Sequence, residues 1–408
     1  MTQGDKAQAA AVQEAVLAAC APGRSVAVLI EGAPGLGKTA LLEKVAQQAA
    51  MSGTVLSAAA GERQRPFGVL NRLLAGSSEP ALSGLLTGEG RSATDTGAAL
   101  CSQLRDLGRR GSVTLCVDDV HHADVQSLQA LQYVLRSAQP APVTVVAATA
   151  ASGDRWRALL PADTLRSPQV HRMQLALLAP AETEHFVTAH AAATGRIPPR
   201  AAARLHRLSG GNPLLLEALL AEDALTCHPV PGGPFVRGVA HLLRHSGPAA
   251  RATAHTLAVL GGHPVGPPLL AELIDGGAPV AVDALNALRA CGLLDGLGRR
   301  EPAVLAAALA DCAAPDLTRL RLRVAHTLHT AKAPATAVAA PLLALIADGA
   351  GPVADAADQS LLAQTARDLA ESAAALRMQG RTDQADSLER ASRQLHVQVG
   401  DLEPTEAP

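Results

Sequence analysis

The chain has 408 residues, and 48% of them are apolar. That length and composition exclude a largely disordered protein and favour two or three domains, each with its own core. Aromatic residues make up only 1%, so the cores must be aliphatic and rich in alanine, the best helix former. The formal net charge of −2 is not the strongly basic balance that is typical of proteins that bind nucleic acid.

Cysteine usage and hydropathy predict a cytoplasmic location. The six cysteines are scattered and form no C-x-x-C pair, which is typical of reduced thiols rather than of a disulfide framework or a zinc site. The N-terminus carries no apolar stretch of signal-peptide type, and no run approaches the roughly 20 apolar residues that span a bilayer. We therefore expect a cytoplasmic protein without a membrane partner.

Short apolar runs separated by helical patterns predict a parallel sheet in the first part of the chain. A helix is predicted over residues 8–20, before the first run. The predicted strands are Ser25–Glu31, Thr54–Ala59, Ser112–Asp118, Pro142–Thr149 and a weaker Val170–Leu175.

Strand patterns stop after about residue 177, and the rest of the chain reads as helical. Helices are predicted at Pro180–Thr194 and Pro198–Leu208, each opening with a proline. Residues 228–234, which are rich in Pro and Gly, are the best linker candidate. A two-stranded ribbon is possible around Gly292–Arg300, and Ala-rich helical hairpins follow from Pro315.

The segment Gly32-Ala-Pro-Gly-Leu-Gly-Lys38-Thr39 fits the G-x-x-x-x-G-K-[ST] pattern of a P-loop, between a predicted buried strand and a helix. Its glycines allow backbone N–H groups to surround phosphates, Lys38 can reach the β- and γ-phosphates, and Thr39 can bind Mg²⁺. ATP and Mg²⁺ are therefore the predicted cofactors; the alternative is a glycine turn that merely closes a strand–helix unit. The candidate nucleotide-binding residues here are Gly32, Ala33, Pro34, Gly35, Leu36, Gly37, Lys38, Thr39 and Ala40.

Two acids end the third apolar run, where a P-loop protein holds its metal. Asp118 is the candidate metal ligand together with Thr39, and Asp119 is the candidate catalytic residue that polarises the attacking water, with Lys38 as the catalytic cation. The alternative is that both acids are simply polar residues exposed to solvent at the end of a strand.

The segment Asp118-Asp119-Val-His121-His122-Ala-Asp124 resembles the D-D-x-H-W-A-D signature of large ATP-binding regulators of the LuxR family, which are signal-transducing ATPases with numerous domains. Four further stretches are similar to that family: the P-loop segment Gly32–Leu42, Arg65-Pro-Phe67-Gly68, Gly211-Asn212-Pro213 and the arginine-rich Arg319–His329. The resemblance covers about residues 1–395. It differs in that His122 replaces the tryptophan and Ala150 stands near a strand end that usually carries an arginine, for which Arg155 and Arg157 are candidate substitutes.

The resemblance implies an α/β P-loop NTPase core with a parallel, AAA-like sheet, followed by an all-α lid, a winged-helix-like domain and helical hairpins. It also implies that Pro213 contacts the nucleotide. The expected divisions are 1–177 for the core, 178–227 for the lid, 235–312 for the winged-helix-like domain, 313–397 for the hairpins and 398–408 for a loose tail.

Several histidines and one acid admit two interpretations. His326 and His329 lie near each other on one helical face, yet two histidines without a third ligand are more often structural. His121 is more consistent with packing or hydrogen bonding under the acids than with a base. Glu31 could orient the P-loop or simply end its strand.

The preferred functional hypothesis is a slowly hydrolysing ATP switch that acts through a protein partner, with self-association possible. The family's regulators end in a DNA-binding helix-turn-helix that this sequence does not show, so no direct DNA binding is expected. Two alternatives stay open. One is an ATP-dependent biosynthetic enzyme or enzyme accessory on the same scaffold, and the other is a scaffold that binds nucleotide without hydrolysing it.

Overall fold

The computed structural model describes ten parts of the chain, and several sequence predictions lie wholly or partly outside them. Outside the described residues fall the helix predicted over residues 8–20, the candidates Arg155 and Arg157, residues 228–229 of the linker candidate, residues 296–300 of the possible ribbon and residues 401–408 of the tail. The described residues are 26–60, 65–76, 82, 92–137, 143–150, 170–194, 201–222, 230–295, 301–349 and 355–400.

A five-stranded sheet in the order β2-β3-β4-β1-β5, with every neighbouring pair parallel, forms the centre of the N-terminal part. Each predicted strand is confirmed to within one residue at either end, because continuous runs of β-branched and aliphatic residues mark strands buried on both faces. The strands are β1 (Val26–Gly32), β2 (Gly53–Ala59), β3 (Ser112–Asp118), β4 (Val143–Ala150) and β5 (Val170–Gln174).

Helices cover both faces of this sheet. Alternate strand residues point to opposite faces, so Val28 and Ile30 pack in one core while Leu29, Leu56 and Leu115 pack in the other. The first core is closed by α1 (Lys38–Ala50); the second is closed by α2 (Gly68–Ala75), α3 (Ala93–Gly108) and α4 (Val125–Ser137). The sheet with its two cores holds the ends of the strands in fixed positions.

The chain divides into two compact units. The first comprises the residues up to His206 together with Gly211–Leu214, and the second comprises Arg207–Gly210 and the chain from Leu215 onward. Along this stretch lie α5 (Pro180–Thr194), α6 (Ala202–Ser209) and α7 (Pro213–Ala221).

The helix predicted over Pro198–Leu208 is confirmed from Ala202 onward, and residues 198–200 lie outside the described residues. Ala201 is not helical, and its carbonyl accepts the amide of Leu205 at 2.9 Å, so α6 begins only at Ala202.

Within the described residues, the second unit consists of helices joined by turns and short loops, and its core is aliphatic. Residues 292–295, the described part of the possible ribbon, form a turn rather than a strand. No described helix combines the length and the apolar character that crossing a membrane needs. The remaining helices are α8 (Pro234–His245), α9 (Pro248–Val259), α10 (Pro267–Leu273), α11 (Ala278–Ala290), α12 (Pro302–Leu309), α13 (Ala314–Thr330), α14 (Ala335–Ala347), α15 (Ala356–Met378) and α16 (Thr382–Gly400).

Because α3 packs closely on α4, a methyl group added at Gly97 is expected to lower the free energy of unfolding. A Cβ at Gly97 would lie 2.8 Å from Cβ of Tyr133 and 3.2 Å from Cα of Ala130. We expect Gly97→Ala to lower the free energy of unfolding by about 1–3 kcal/mol, since overpacking outweighs the helix preference of alanine. Urea unfolding followed by circular dichroism measures the change.

Gly76→Ala is the matched control for that substitution. Gly76 has φ −78°, and its added Cβ would lie 3.8 Å from the carbonyl oxygen of Arg72, an ordinary contact. This variant should stay within about 0.5 kcal/mol of the unsubstituted protein. Equal stability of the two variants would show that α3 and α4 can separate freely.

Candidate nucleotide-binding site

The loop between β1 and α1 has the backbone conformation that a phosphate cradle needs. Gly35 and Gly37 have φ of 79° and 85°, in the left-handed region that a glycine adopts without steric cost. Gly37 is also the residue that precedes the first turn of α1. Successive N–H groups in such a loop, together with the positive end of the helix, favour an anion.

Lys38 is held by the carbonyls of its own loop. Its Nζ donates to the carbonyl oxygens of Gly32 and Ala33, each at 3.0 Å. Burial lowers the pKa of Lys38, whereas the negative charges of Asp119 and Asp118 act in the opposite direction. An ammonium group carries three donors, two of which serve these bonds, so Lys38 can brace the loop and contact an anion at once.

Thr39 and Asp118 meet although 79 positions separate them in the sequence. Oγ1 of Thr39 donates to Oδ2 of Asp118 at 2.6 Å, and Oδ1 of Asp118 accepts the amide of Asp119 at 2.9 Å. The two predicted metal ligands are therefore brought together, next to the P-loop lysine.

Asp119 adopts an unusual backbone conformation, with φ 48° and ψ 41°. A short 3₁₀ turn over Val120–His122 follows it, and the amide of His122 donates to the carbonyl of Asp119 at 2.8 Å. Non-glycine residues in this region are uncommon and cluster at functional sites. The turn holds Asp119 at the carboxyl edge of the sheet, beside Asp118.

His121 connects the turn after β3 to the end of β4. Its Nδ1 accepts the amide of Ala150 at 3.3 Å, which assigns the proton of the neutral ring to Nε2. The rings of His121 and His122 lie 4.0 Å apart. This contact supports the interpretation of His121 as a residue that packs and hydrogen-bonds beneath the acids.

Asp124 ties the signature segment to the start of α2, a role that the sequence did not indicate. Asp124 is 3% exposed, and its carboxylate accepts the amides of Phe67 (2.9 Å), Val69 (3.2 Å) and Ser127 (2.8 Å). An acid three residues before Ser127 is a helix-capping pattern that could have revealed one of these bonds. The bonds to α2 depend on strand order and could not have been read from spacing.

The segment around Pro213 contacts the P-loop directly. Nδ2 of Asn212 donates to the carbonyl of Pro34 at 3.1 Å, and the amide of Leu214 donates to the carbonyl of Gly35 at 3.3 Å. Pro213 itself is the first residue of α7. Pro213 thus lies beside the P-loop. The resemblance to the LuxR-family regulators implies a nucleotide contact for this residue.

Glu31 does more than end β1. Its carboxylate is 6% exposed and forms an ion pair with Nη2 of Arg172 on β5, at 2.9 and 2.7 Å. Its carbonyl accepts the amide of Leu175 at 2.8 Å. Glu31 therefore fastens β5 to the strand that carries the P-loop.

The histidines of α13 do not form a metal site. His326 pairs with Asp358, His329 is exposed, and no cluster of three or more His, Cys, Asp or Glu side chains suited to a metal occurs in the parts of the chain that the structure describes.

Comparison with known proteins agrees with this geometry. Residues 6–146 match the family model described as the AAA ATPase domain, so this part of the chain is an AAA ATPase domain with a P-loop. No curated protein matches the chain.

Solved structures similar to this chain include three archaeal proteins. A Walker-type ATPase of Pyrococcus abyssi is 13% identical, with a TM-score of 0.48, over 74% of this chain and 93% of that chain. The ORC2 protein of Aeropyrum pernix is 15% identical, with a TM-score of 0.44, over 74% and 91%. Cdc6p of Pyrobaculum aerophilum is 15% identical, with a TM-score of 0.42, over 73% and 92%.

Replacing Lys38 tests the nucleotide assignment. We expect Lys38→Ala to weaken the binding of Mg·ATP at least about tenfold, because the loop loses a charge-assisted hydrogen bond to the triphosphate. Calorimetric titration measures the affinity. Lys44→Ala, which changes an exposed lysine on the same helix, should bind normally; equal affinity of both variants would contradict the assignment.

Proposed function

We propose that this protein is a Mg²⁺-dependent ATPase of low turnover, which uses ATP as a conformational switch and acts through a protein partner. The observation that carries the proposal is the 2.6 Å contact between Thr39 and Asp118 beside Lys38. This contact joins the two predicted metal ligands, one on the P-loop helix and one at the end of β3, at the edge of the sheet where parallel α/β proteins bind ligands.

The residues at this edge fit a magnesium ion. One hydroxyl and one carboxylate are hard oxygen donors, and Mg²⁺ is usually held by one or two protein ligands together with phosphate oxygens and water. Thr39 and Asp118 match that small ligand set, and a closed cage of carboxylates is not needed. When bound with the nucleotide, the ion would neutralise charge on the β- and γ-phosphates.

The position of Asp119 supports the proposal that it orients water. It follows the metal-binding acid directly, and its left-handed backbone turns it away from the line of β3. Its carboxylate can accept a proton from a water aligned with the γ-phosphate, while Lys38 stabilises charge that develops on the transferred group. Hydrolysis would then reset a conformation rather than process a substrate.

The wider role that we propose is regulatory. It rests on the resemblance of the Asp118–Asp124 segment and of Gly211-Asn212-Pro213 to the LuxR-family regulators, and on the long helical region that follows the ATPase core. We assign residues 178–227 to a lid, 235–312 to a winged-helix-like domain and 313–397 to helical hairpins for a partner. The chain would function in the cytoplasm, in bacterial specialised metabolism.

Amide substitutions separate the roles of the two acids. We expect Asp119→Asn to bind Mg·ATP normally and to lose at least about 100-fold in turnover, because an amide cannot accept the proton from water. Asp118→Asn should raise the Mg²⁺ concentration needed for half-maximal rate. Phosphate release measures both effects.

Asp106→Asn serves as the control, since Asp106 is an exposed acid on α3 that forms an ion pair with Arg109, three residues along the same helix end. It should leave rate and Mg²⁺ dependence unchanged. A normal rate in Asp119→Asn would place the general base elsewhere, and His122 would then be the next residue to test.

Partner capture in two nucleotide states tests the switch. With the full chain as bait in extract from the native host, we expect at least one protein to bind in Mg·ATP and to be released in ADP, since only a state-dependent affinity can shift a conformational equilibrium. Lys38→Ala should lose this difference. Identical proteins in both states would contradict the switch while leaving the ATPase assignment intact.

A further inference from the structure

The Gly211–Leu214 segment donates hydrogen bonds to two carbonyl groups of the P-loop. Asn212 Nδ2 donates to the Pro34 carbonyl at 3.1 Å, and the Leu214 amide donates to the Gly35 carbonyl at 3.3 Å. The segment belongs to the same compact unit as the P-loop. Both bonds therefore lie within one folded unit.

These bonds fix the direction of the loop's amides. In a planar trans peptide, the C=O and the following N–H point to opposite sides. When Asn212 holds the Pro34 carbonyl, the Gly35 amide points away from Asn212; when Leu214 holds the Gly35 carbonyl, the Leu36 amide does the same. Backbone N–H groups at these places in a P-loop cradle phosphate oxygens.

Asn212 is itself held rigidly. Its side chain is fully buried, and its Oδ1 accepts the Leu214 amide at 3.1 Å, so that this amide is shared between two acceptors. Gly211, with φ 75°, packs so tightly that a Cβ there would lie 2.3 Å from the Leu178 carbonyl oxygen. The Leu178 amide also donates to the Gly211 carbonyl at 2.8 Å.

We infer that Asn212 is a positioning residue for phosphate recognition: through the Pro34 carbonyl it holds the P-loop amides toward the β-phosphate of a nucleoside diphosphate or triphosphate. Asn212 does not need to touch the nucleotide to do so. The inference rests on the proposed nucleotide binding and adds a determinant of phosphate affinity that lies about 180 residues from the P-loop in the sequence.

Two substitutions remove the donor and preserve the turn. Asp and Ser at position 212 can still accept the Leu214 amide, as short polar side chains do in such turns, but neither presents an amide donor to Pro34. Asp adds a charge and Ser does not, so a shared effect reports the lost donor. Asn71→Ser, at an exposed asparagine of α2, is the matched control.

The measurement is the affinity of the full chain for ADP and for AMP, by competition with a fluorescent ADP. We expect Asn212→Ser and Asn212→Asp to weaken ADP binding about tenfold and AMP binding less than about threefold, because AMP lacks the β-phosphate. A general loss of structure would weaken both ligands alike. The ratio of the two affinities is independent of the fraction of folded protein.

Three results would overturn the inference. Unchanged ADP affinity in Asn212→Ser would show that the donor does not position the loop, and an equal loss for ADP and AMP would reveal a purely structural residue. A loss confined to Asn212→Asp would assign the effect to the added charge. Failure of the unsubstituted protein to bind ADP would instead contradict the proposed function itself.

Discussion

The hydrogen bond from Thr39 to Asp118 joins the helix that follows β1 to the end of β3, two strands that are separated by β4 in the sheet. Neighbouring strands lie roughly 4.8 Å apart, so the ends of β1 and β3 are separated by roughly 10 Å. The P-loop and the first turn of α1 extend from β1 across this distance, and Asp118 completes the contact. From β1 the chain passes to β2 at one edge, and from β4 to β5 at the other, which opens the crevice above β1 and β4.

Two left-handed residues show how the signature acids stabilise the backbone around this crevice. Phe67 and Asp119 have φ of 57° and 48°, a conformation that costs a non-glycine residue about 1–2 kcal/mol. The amide of each donates to a carboxylate at 2.9 Å, to Asp124 and Asp118 respectively. Hydrogen bonds to charged groups contribute about 1.5–3 kcal/mol, which is enough to offset that cost. Asp118 and Asp124 thus stabilise the backbone conformation of these two loops.

The sequence predicted those parts of the molecule that local patterns determine. Continuous apolar runs located all five strands, and the glycine and lysine spacing located the P-loop, because both signals lie within about ten residues. The contacts of Asp124 with α2 and of Asn212 with Pro34 join residues 57 and 178 positions apart. Such contacts depend on strand order and helix placement, which periodicity does not encode. The two residues were recognisable as members of motifs, but their roles required three-dimensional positions.

In the second unit, the arginine-rich helix α13 also has partners distant in sequence that its residue pattern did not reveal. Its sequence resembles a basic helix, yet its basic side chains pair with acids outside the helix: Arg321 with Asp348, Arg323 with Asp275 and His326 with Asp358. The Arg321 side chain is 10% exposed and its partner Asp348 is 55% exposed, so solvent reaches one side of the pair and its loss costs less than that of a fully buried pair, about 3–5 kcal/mol. The exposed Arg323 pair contributes about 0–1 kcal/mol. Arg321 is therefore the charge that anchors α13 to the end of α14, and any external ligand for it would have to compete with Asp348.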